Sequence, residues 1–351
     1  MKLGLLGCGS VAYWLHLPAL RRVPGAVLAS AADPDPAARA RARRVTRVPI
    51  YERADELLER DDIGAVVICA PNHLHAELAI AAADAGKHFY LEKPLATTAV
   101  DAVRILEAAA RAGVTSAIGF NRRLHPLYEQ ARNLLAGGCI GRVRAAQTAF
   151  CEPTALDALP QWKRDRATGG GALLDLASHH IDLLRWFLAD EVGAIAGSLR
   201  SELSEDDTAR IELTMERGVE VQGFFSFRAE LADYLEFIGE RGTLRVDRHS
   251  PSLTLRLGRR LGYGVRRRWV APTPAGAAWR LARLVRPSAD PSYRRSLRAF
   301  VELVRGEPSR TASLLDGLRS LEAVLAAEDS ARRGEPSRPD RQRAGAPCAH
   351  C

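Results

Sequence analysis

Two kinds of apolar run alternate through the first third of the chain. Short continuous ones, at residues 2–7, 27–33, 48–51, 65–70, 88–91 and 114–120, have the composition of strands buried on both faces. Between them, apolar residues recur every three or four positions, over 56–60, 76–85 and 100–112, and predict helices. Strand and helix in strict alternation predict an α/β unit, a doubly wound parallel sheet. After Phe120 the rhythm changes. Helices are predicted over 124–135 and from Leu173 to Phe187, and a strand over 142–150. Period-two runs follow at 194–201, 208–215, 219–227, 233–238, 243–247 and 253–257, with tight turns at Gly218 and Gly242. Helices over 293–305 and 314–331 close the pattern. The second half therefore reads as α+β, a large, mostly antiparallel open sheet with helices on one face. Its other face, carrying Phe224, Phe225 and Phe227, needs a cover, and a second copy of the chain is the usual one. The expected domains are residues 1–121 and 122–332. Residues 333–351 have no periodicity and are expected to be disordered.

The ends of the predicted parallel strands carry most of the chemistry. Gly7-Cys8-Gly9-Ser10-Val11-Ala12 follows the first strand and opens an apolar helix (Val11, Leu15, Leu20). This is a G-x-G-x-x-A pattern. Gly7 makes the turn, Gly9 lets the backbone approach a pyrophosphate, and Ala12 lets the helix pack close to the strand. The second strand ends at Asp33, where a carboxylate can accept from an adenosine ribose 2′-hydroxyl and repel a 2′-phosphate. NAD is the expected cofactor, while Arg39 and Arg43 keep NADP open. Asn72, Lys93 and Asn121 also fall at strand ends, where ligands of such sheets collect. Lys93 stands between Glu92 and Pro94, which restricts it to extended conformations and allows a cis bond. A lysine held there can exchange a proton with the oxygen whose carbon exchanges hydride.

A glycine-rich lead-in, Gly169-Gly170-Gly171, precedes a helical run holding Asp175, His179 and Asp182. Four residues apart, Asp175 and His179 share one helix face, and Asp182 can hold the imidazole in one tautomer. A carboxylate and an imidazole aimed by one helix form a general acid/base pair.

Composition changes the picture in two places. The formal charge of +8 is concentrated between Arg256 and Arg298, where Asp290 is the only acid. No aromatic platform or recognition helix accompanies the arginines, so nucleic acid is not an expected partner. A basic surface facing an acidic substrate fits equally well as solvated arginines. Within this region, residues 277–286 form a basic amphipathic helix with Arg280, Arg283 and Arg286, able to lid the site, touch a membrane surface or pack on the sheet edge. Cys8 and Cys69 sit in apolar strand contexts as buried hydrophobes. Cys348, His350 and Cys351 offer three ligands where structural zinc takes four, so no metal is expected. No apolar run reaches the length of a membrane span, and the N-terminus lacks signal-peptide character. The chain is read as cytoplasmic.

Taken together, the motifs resemble the glucose–fructose oxidoreductase / inositol dehydrogenase family (Gfo/Idh/MocA). The matching residues are Gly7-Cys8-Gly9 with His16, Pro71-Asn72-His73-Leu74-His75, Glu92-Lys93-Pro94 and Asn121-Arg122-Arg123. Further on come Gly169-Gly170-Gly171 with Asp175, His179 and Asp182, then Glu205 to Thr208 and Gly239 to Val246. The resemblance implies a Rossmann domain followed by an α/β domain that pairs copies through its sheet as homodimers or homotetramers. It implies hydride transfer between NAD(P) and a secondary alcohol or carbonyl carbon of a sugar, cyclitol or nucleotide sugar. In that family role His179 is the acid/base, Lys93 hydrogen-bonds the same oxygen, and Asp175 orients the substrate. Ser10 and Val11 go with the phosphate loop. Asn72, His75, Glu92 and Asn121 line the nicotinamide pocket, Arg122 and Trp162 grip substrate, and His180 is structural. The competing expectation is a catalytically inactive dinucleotide- and sugar-binding regulator of the same fold. Residues 258–287 and the two-cysteine tail have no match in the family pattern.

Overall fold

The computed structural model describes residues 1–249, 252–258, 265–285 and 290–341. Cys348, His350 and Cys351, Arg286 and residues 259–264 of the arginine-rich insertion lie outside the described residues.

The first sheet contains β1 (Lys2–Leu6), β2 (Val27–Ala32), β3 (Ile50–Tyr51), β4 (Ala65–Ile68), β5 (His88–Leu91) and β6 (Ser116–Ile118). Its order is β3-β2-β1-β4-β5-β6 and every pairing is parallel. The helices of this half are α1 (Leu17–Leu20), α2 (Pro36–Arg43), α3 (Ala54–Leu58), α4 (His75–Asp84) and α5 (Ala99–Ala112). Local chemistry starts and stops them. Asp35 accepts from the Ala37 and Ala38 amides at the start of α2, Thr98 accepts from Asp101 N–H at the start of α5, and left-handed Gly113 ends α5. Strand alternation sends Leu3, Leu5, Val67 and Tyr90 to one core and Leu6, Val66, Ile68 and Phe89 to the other. Both faces are covered, which is why these strands read as continuous apolar runs.

The helix after the glycine loop differs from expectation. Its first turn, Ala12–His16, is a π-turn, so Ala12, His16, Leu17 and Leu20 point inward while Val11 and Trp14 face solvent.

The second half holds α6 (Pro126–Ala136), β7 (Val143–Cys151), α7 (Ser178–Leu188), β8 (Val192–Arg200), β9 (Thr208–Met215), β10 (Glu220–Ser226), β11 (Ala232–Gly239), β12 (Gly242–Asp247), β13 (Ser252–Gly258) and β14 (Val265–Trp269). After these come α8 (Pro274–Val285), α9 (Pro291–Val304) and α10 (Leu314–Arg333). Among the described residues the eight strands order as β14-β13-β12-β11-β7-β10-β9-β8, with only β10 and β7 parallel. β14 escapes the sequence pattern because Arg266, Arg267 and Arg268 carry no period-two signal. Phe225 and Phe227 are buried on the helix side, contrary to expectation, and only Phe224 faces outward, beside exposed Arg210, Glu212, Gln222 and Gln147.

Two closing elements also depart from expectation. α9 packs on the first sheet rather than the second, burying Leu297, Phe300 and Val301 against Leu3, Leu5 and Tyr90. Full burial of a side chain like Phe300 stabilises by about 2–3 kcal/mol, which accounts for that docking. Residues 334–341, expected to be disordered, are instead tied to β8. Ser337 bridges to Ile195 in both backbone directions, and Arg341 donates to the Val192 carbonyl. α8 seats on α6 and buries Trp279 against the His125 ring, 4.3 Å between centroids. Among the described residues no helix is long and apolar enough to cross a membrane.

Candidate active site

The carboxyl end of the parallel sheet begins with the glycine loop. Gly7 has φ +92°, and a Cβ there would lie 2.6 Å from the Cys69 carbonyl oxygen, so only glycine fits between β1 and β4. A Cβ at Gly9 would meet nothing within 4 Å. The loop is bare on that side, leaving space for a group the size of a pyrophosphate against the backbone of Ser10 and Val11. Asp33 closes the other end. Its Oδ2 accepts from Cys8 N–H at 2.6 Å and its Oδ1 from Asp35 N–H at 2.8 Å, which leaves lone pairs for a ribose hydroxyl. Arg39 donates to the Asp33 and Pro34 carbonyls, and Arg43 reaches toward the Ile50 carbonyl. Burial, with Asp33 nearby, pushes the Cys8 thiol up to about 12 and keeps it protonated. These residues fit a dinucleotide.

Lys93 leaves β5 through Glu92 and joins Pro94 by a cis bond. Its ammonium donates to the Asp175 carbonyl at 2.8 Å and to Asp175 Oδ1 at 2.6 Å. The other carboxylate oxygen, Oδ2, accepts from Lys163 Nζ at 2.6 Å. Burial by itself would raise the Asp175 carboxyl, but Lys163 and Lys93 hold it well below the usual range. Lys163 is the functional neighbour the sequence reading missed. It sits in the short turn Gln161–Lys163, beside Trp162, whose half-buried ring lies 5.4 Å from its ammonium. The signal that could have found it is a Trp-Lys-Arg run shortly before the triple glycine.

Among the described residues the His179 side chain makes no hydrogen bond. Its Nδ1 is buried without a partner, and its ring packs edgewise on Phe120 and Phe150. Burial first, then the fields of Arg122 and Lys93, push its imidazolium well below the ordinary histidine range. The ring is therefore neutral at neutral pH, with Nε2 left to meet a bound molecule. Asp182 does not hold this imidazole as expected. It receives Arg123 in a two-pronged pair, at 2.9 and 2.6 Å, stronger than one imidazole N–H could offer. The local helix also departs from the assumed 3.6-residue turn: Leu173–Ala177 is a π-turn, with Ser178 N–H reaching back to Leu173.

The four residues expected to line the nicotinamide pocket are at the right end of the sheet, but their polar heads turn onto the chain. Asn72 donates to the Gly169 carbonyl at 2.7 Å and Asn121 to Ser292 Oγ at 3.0 Å. His75 lies between the Pro94 and Ala70 carbonyls, and Glu92 Oε1 meets buried His16 at 2.6 Å. They brace the walls. Asn72 and Gly169 in particular tie the first domain to the loop that carries Asp175. Arg122, expected to grip substrate, is buried instead. It lies 4.1 Å over the Phe150 ring and donates to Asp233 at 3.0 Å, with its other contact on His180 Nε2. His180 pairs with Thr148 and Asp233.

Burial lowers His75, His125, His179 and His180 below the ordinary histidine value, His125 to about 4. A base whose folded pKa is depressed binds fewer protons folded than unfolded. Its stabilisation is complete above about pH 6.5 and is lost as pH falls through the window toward about 4. Each such group costs about 1.4 kcal/mol per pH unit there. Urea unfolding at pH 7 and pH 5 therefore gives clearly lower stability at pH 5. Equal stabilities would contradict these burials.

The family comparison fits this geometry. Residues 1–120 match the family model described as "Oxidoreductase family, NAD-binding Rossmann fold", and residues 128–245 match "GFO/IDH/MocA C-terminal domain". The chain belongs to the Gfo/Idh/MocA oxidoreductase family. It is 32% identical over 251 residues, 71% of this chain and 75% of the relative, to dTDP-3,4-didehydro-2,6-dideoxy-alpha-D-glucose 3-reductase of Actinomadura kijaniata. It is 29% identical over 193 residues, 55% of this chain and 56% of the relative, to myo-inositol 2-dehydrogenase of Thermotoga maritima. Among solved structures it is similar to a variant of a 3-ketoreductase from Actinomadura kijaniata in complex with TDP-benzene and NADP. That likeness has TM-score 0.79, 26% identity, and coverage of 94% of this chain and 97% of that one. The Gfo/Idh/MocA chain described here is thus an oxidoreductase with an NAD-binding Rossmann domain, whose relatives act on sugar hydroxyl and keto groups.

Proposed function

We propose that the enzyme transfers hydride between NAD(P) and a secondary alcohol or ketone carbon of a sugar, cyclitol or nucleotide sugar. One observation carries this reading. A lysine from the rim of the parallel sheet donates to both the carbonyl and the carboxylate of Asp175, one turn before the buried imidazole of His179, whose Nδ1 has no partner. Bound NAD(P) supplies or accepts the hydride. Lys93 hydrogen-bonds the reacting oxygen, aimed by Asp175. His179 takes the hydroxyl proton through Nε2 in oxidation and returns it in reduction. Lys163 pairs with Asp175 and lies 5.4 Å from the Trp162 ring, a cation and an aromatic face that suit a polyhydroxylated ring. Asp33 favours NAD, since Arg39 and Arg43 are turned onto backbone carbonyls and offer little to a 2′-phosphate.

The relative named for a dTDP-linked keto sugar favours a nucleotide-linked substrate, and the myo-inositol dehydrogenase keeps cyclitols in the panel. The test follows nicotinamide absorbance for the full chain with free sugars, cyclitols and dTDP- or UDP-sugars, each with NAD and NADP. Turnover with one of these classes, and a higher kcat/KM with NAD, is the expected result. Dinucleotide binding with no turnover across the panel would replace the enzyme by a regulator, and a clear NADP preference would remove the role given to Asp33. The same reading pairs two copies through the open face around Phe224, as a homodimer or homotetramer, which light scattering checks.

A further inference from the structure

The first turn after the glycine loop carries a buried imidazole that the chemistry above does not use. His16 is fully buried at the end of the π-turn Ala12–His16, and within that turn Tyr13 N–H returns to the Gly9 carbonyl at 2.9 Å. Its Nε2 donates to Glu92 Oε1 at 2.6 Å, while its Nδ1 has no partner among the described residues. Tyr90 and Tyr293 enclose the ring edge-on, at 6.0 and 5.3 Å between centroids. The second Glu92 oxygen, Oε2, accepts the Lys93 amide at 3.2 Å. Gly119 makes room for that carboxylate, since a Cβ there would lie 2.8 Å from Oε2 and 3.0 Å from the Glu92 Cα. One carboxylate thus has an oxygen on the turn that follows the glycine loop and the other on the backbone of Lys93.

A buried imidazole with one nitrogen unmet does little for stability, since a hydrocarbon of similar volume would leave no polar atom unsatisfied there. What it supplies is a fixed direction between two segments 76 residues apart. We propose that His16 is a positioning residue, holding Glu92 so that the backbone of Lys93 keeps one place relative to the glycine loop. The loop that receives the dinucleotide and the lysine that meets the reacting oxygen are then set from a single turn. The π-turn is part of the device, because it sends His16 inward beside Leu17 and Leu20. The inference deepens the oxidoreductase reading and rests on it for the role of Lys93, though not for the link from His16 through Glu92 to the Lys93 amide.

Hydrogen exchange of the full chain, read by mass spectrometry, tests the link without substrate. In His16→Leu the peptide covering residues 89–95 exchanges about tenfold faster or more, while peptides from β1 and β4 keep parental rates. His16→Gln keeps a donor for Glu92 Oε1 and restores the parental rate. Unchanged exchange over 89–95 in His16→Leu, an equal rise in β1 and β4, or a His16→Gln variant that matches His16→Leu overturns the proposal. His16→Asn, too short to reach Glu92, is the second variant and follows His16→Leu; if neither folds, His16 serves folding and the proposal fails. On the substrate class the panel identifies, His16→Leu lowers kcat about tenfold or more with parental KM and NADH affinity, the pattern of a displaced reacting group rather than a weakened site. Parental kcat in that variant contradicts the proposal. A parent that binds NADH without turnover removes the oxidoreductase reading alone, and the exchange result still decides the link.

Discussion

Lys93→Met lowers turnover by about 10²-fold or more, the usual size of a lost hydrogen bond to an oxygen on which charge develops, while NAD binds with near-parental affinity. The separation follows from the layout. Lys93 Nζ donates to the Asp175 carbonyl and carboxylate, and among the described residues no hydrogen bond joins it to the Gly7–Asp33 cradle. The substitution keeps the length of the apolar stem, so the walls built by Asn72, His75 and Glu92 stay in place. Single-turnover kinetics together with a fluorescence titration of NADH measure the two effects. Near-parental turnover would remove Lys93 from the chemistry. A large loss of NADH binding would mean that the lysine supports the cofactor cradle instead.

Asp233→Ala destabilises the fold by about 3–5 kcal/mol, the scale expected when one partner of a buried ion pair is removed. Asp233 is fully buried. Its Oδ1 accepts from Arg122 at 3.0 Å and Tyr128 Oη at 3.1 Å, with His180 Nε2 at 3.1 Å, and its Oδ2 accepts from Arg248 at 3.2 Å. Arg248 retains Asp290, but Arg122 is left without a carboxylate against the Phe150 ring. Burial would raise the Asp233 carboxyl, yet Arg122, His180 and Arg248 hold it far below the usual range. An acid with a depressed folded pKa stabilises fully above its unfolded value and loses that contribution as pH falls below about 4. The Asp233→Ala penalty is therefore largest near neutrality and shrinks in acid. Denaturant unfolding at pH 7 and at pH 3.5 to 4 reads both, and a penalty under about 1 kcal/mol at pH 7 would contradict this account.

What the chain discloses in one dimension divides along physical lines. The run His88–Leu91 is a strand over its whole length because each residue is apolar or half-buried and Glu92 and Pro94 end it. The glycine loop was equally legible, since the left-handed φ of Gly7 and its approach to the Cys69 carbonyl leave few other residue types possible. Lys163 was not legible, because a lysine in an irregular loop has no period and its partner lies beyond a glycine turn. The Asp233 cluster joins residues from α6, α7, β11 and the loop after β12, so no local window contains it. Asp182 was misassigned for the opposite reason: helical spacing named a neighbour, His179, while a guanidinium from elsewhere made the better bond. α9 carries an amphipathic pattern that says it must pack, but not on which sheet. Phe225 and Phe227 show the same limit, since alternation groups them on one face without saying which face is inward.

The most direct measurement is a crystal structure of the full chain with NADH and a bound secondary alcohol or ketone of the class the panel selects. The account predicts Lys93 Nζ and His179 Nε2 both within about 3.2 Å of the reacting oxygen, with its carbon facing the nicotinamide. A ligand oxygen bound by only one of the two, or a nicotinamide on the side of the cleft away from His179, would contradict it.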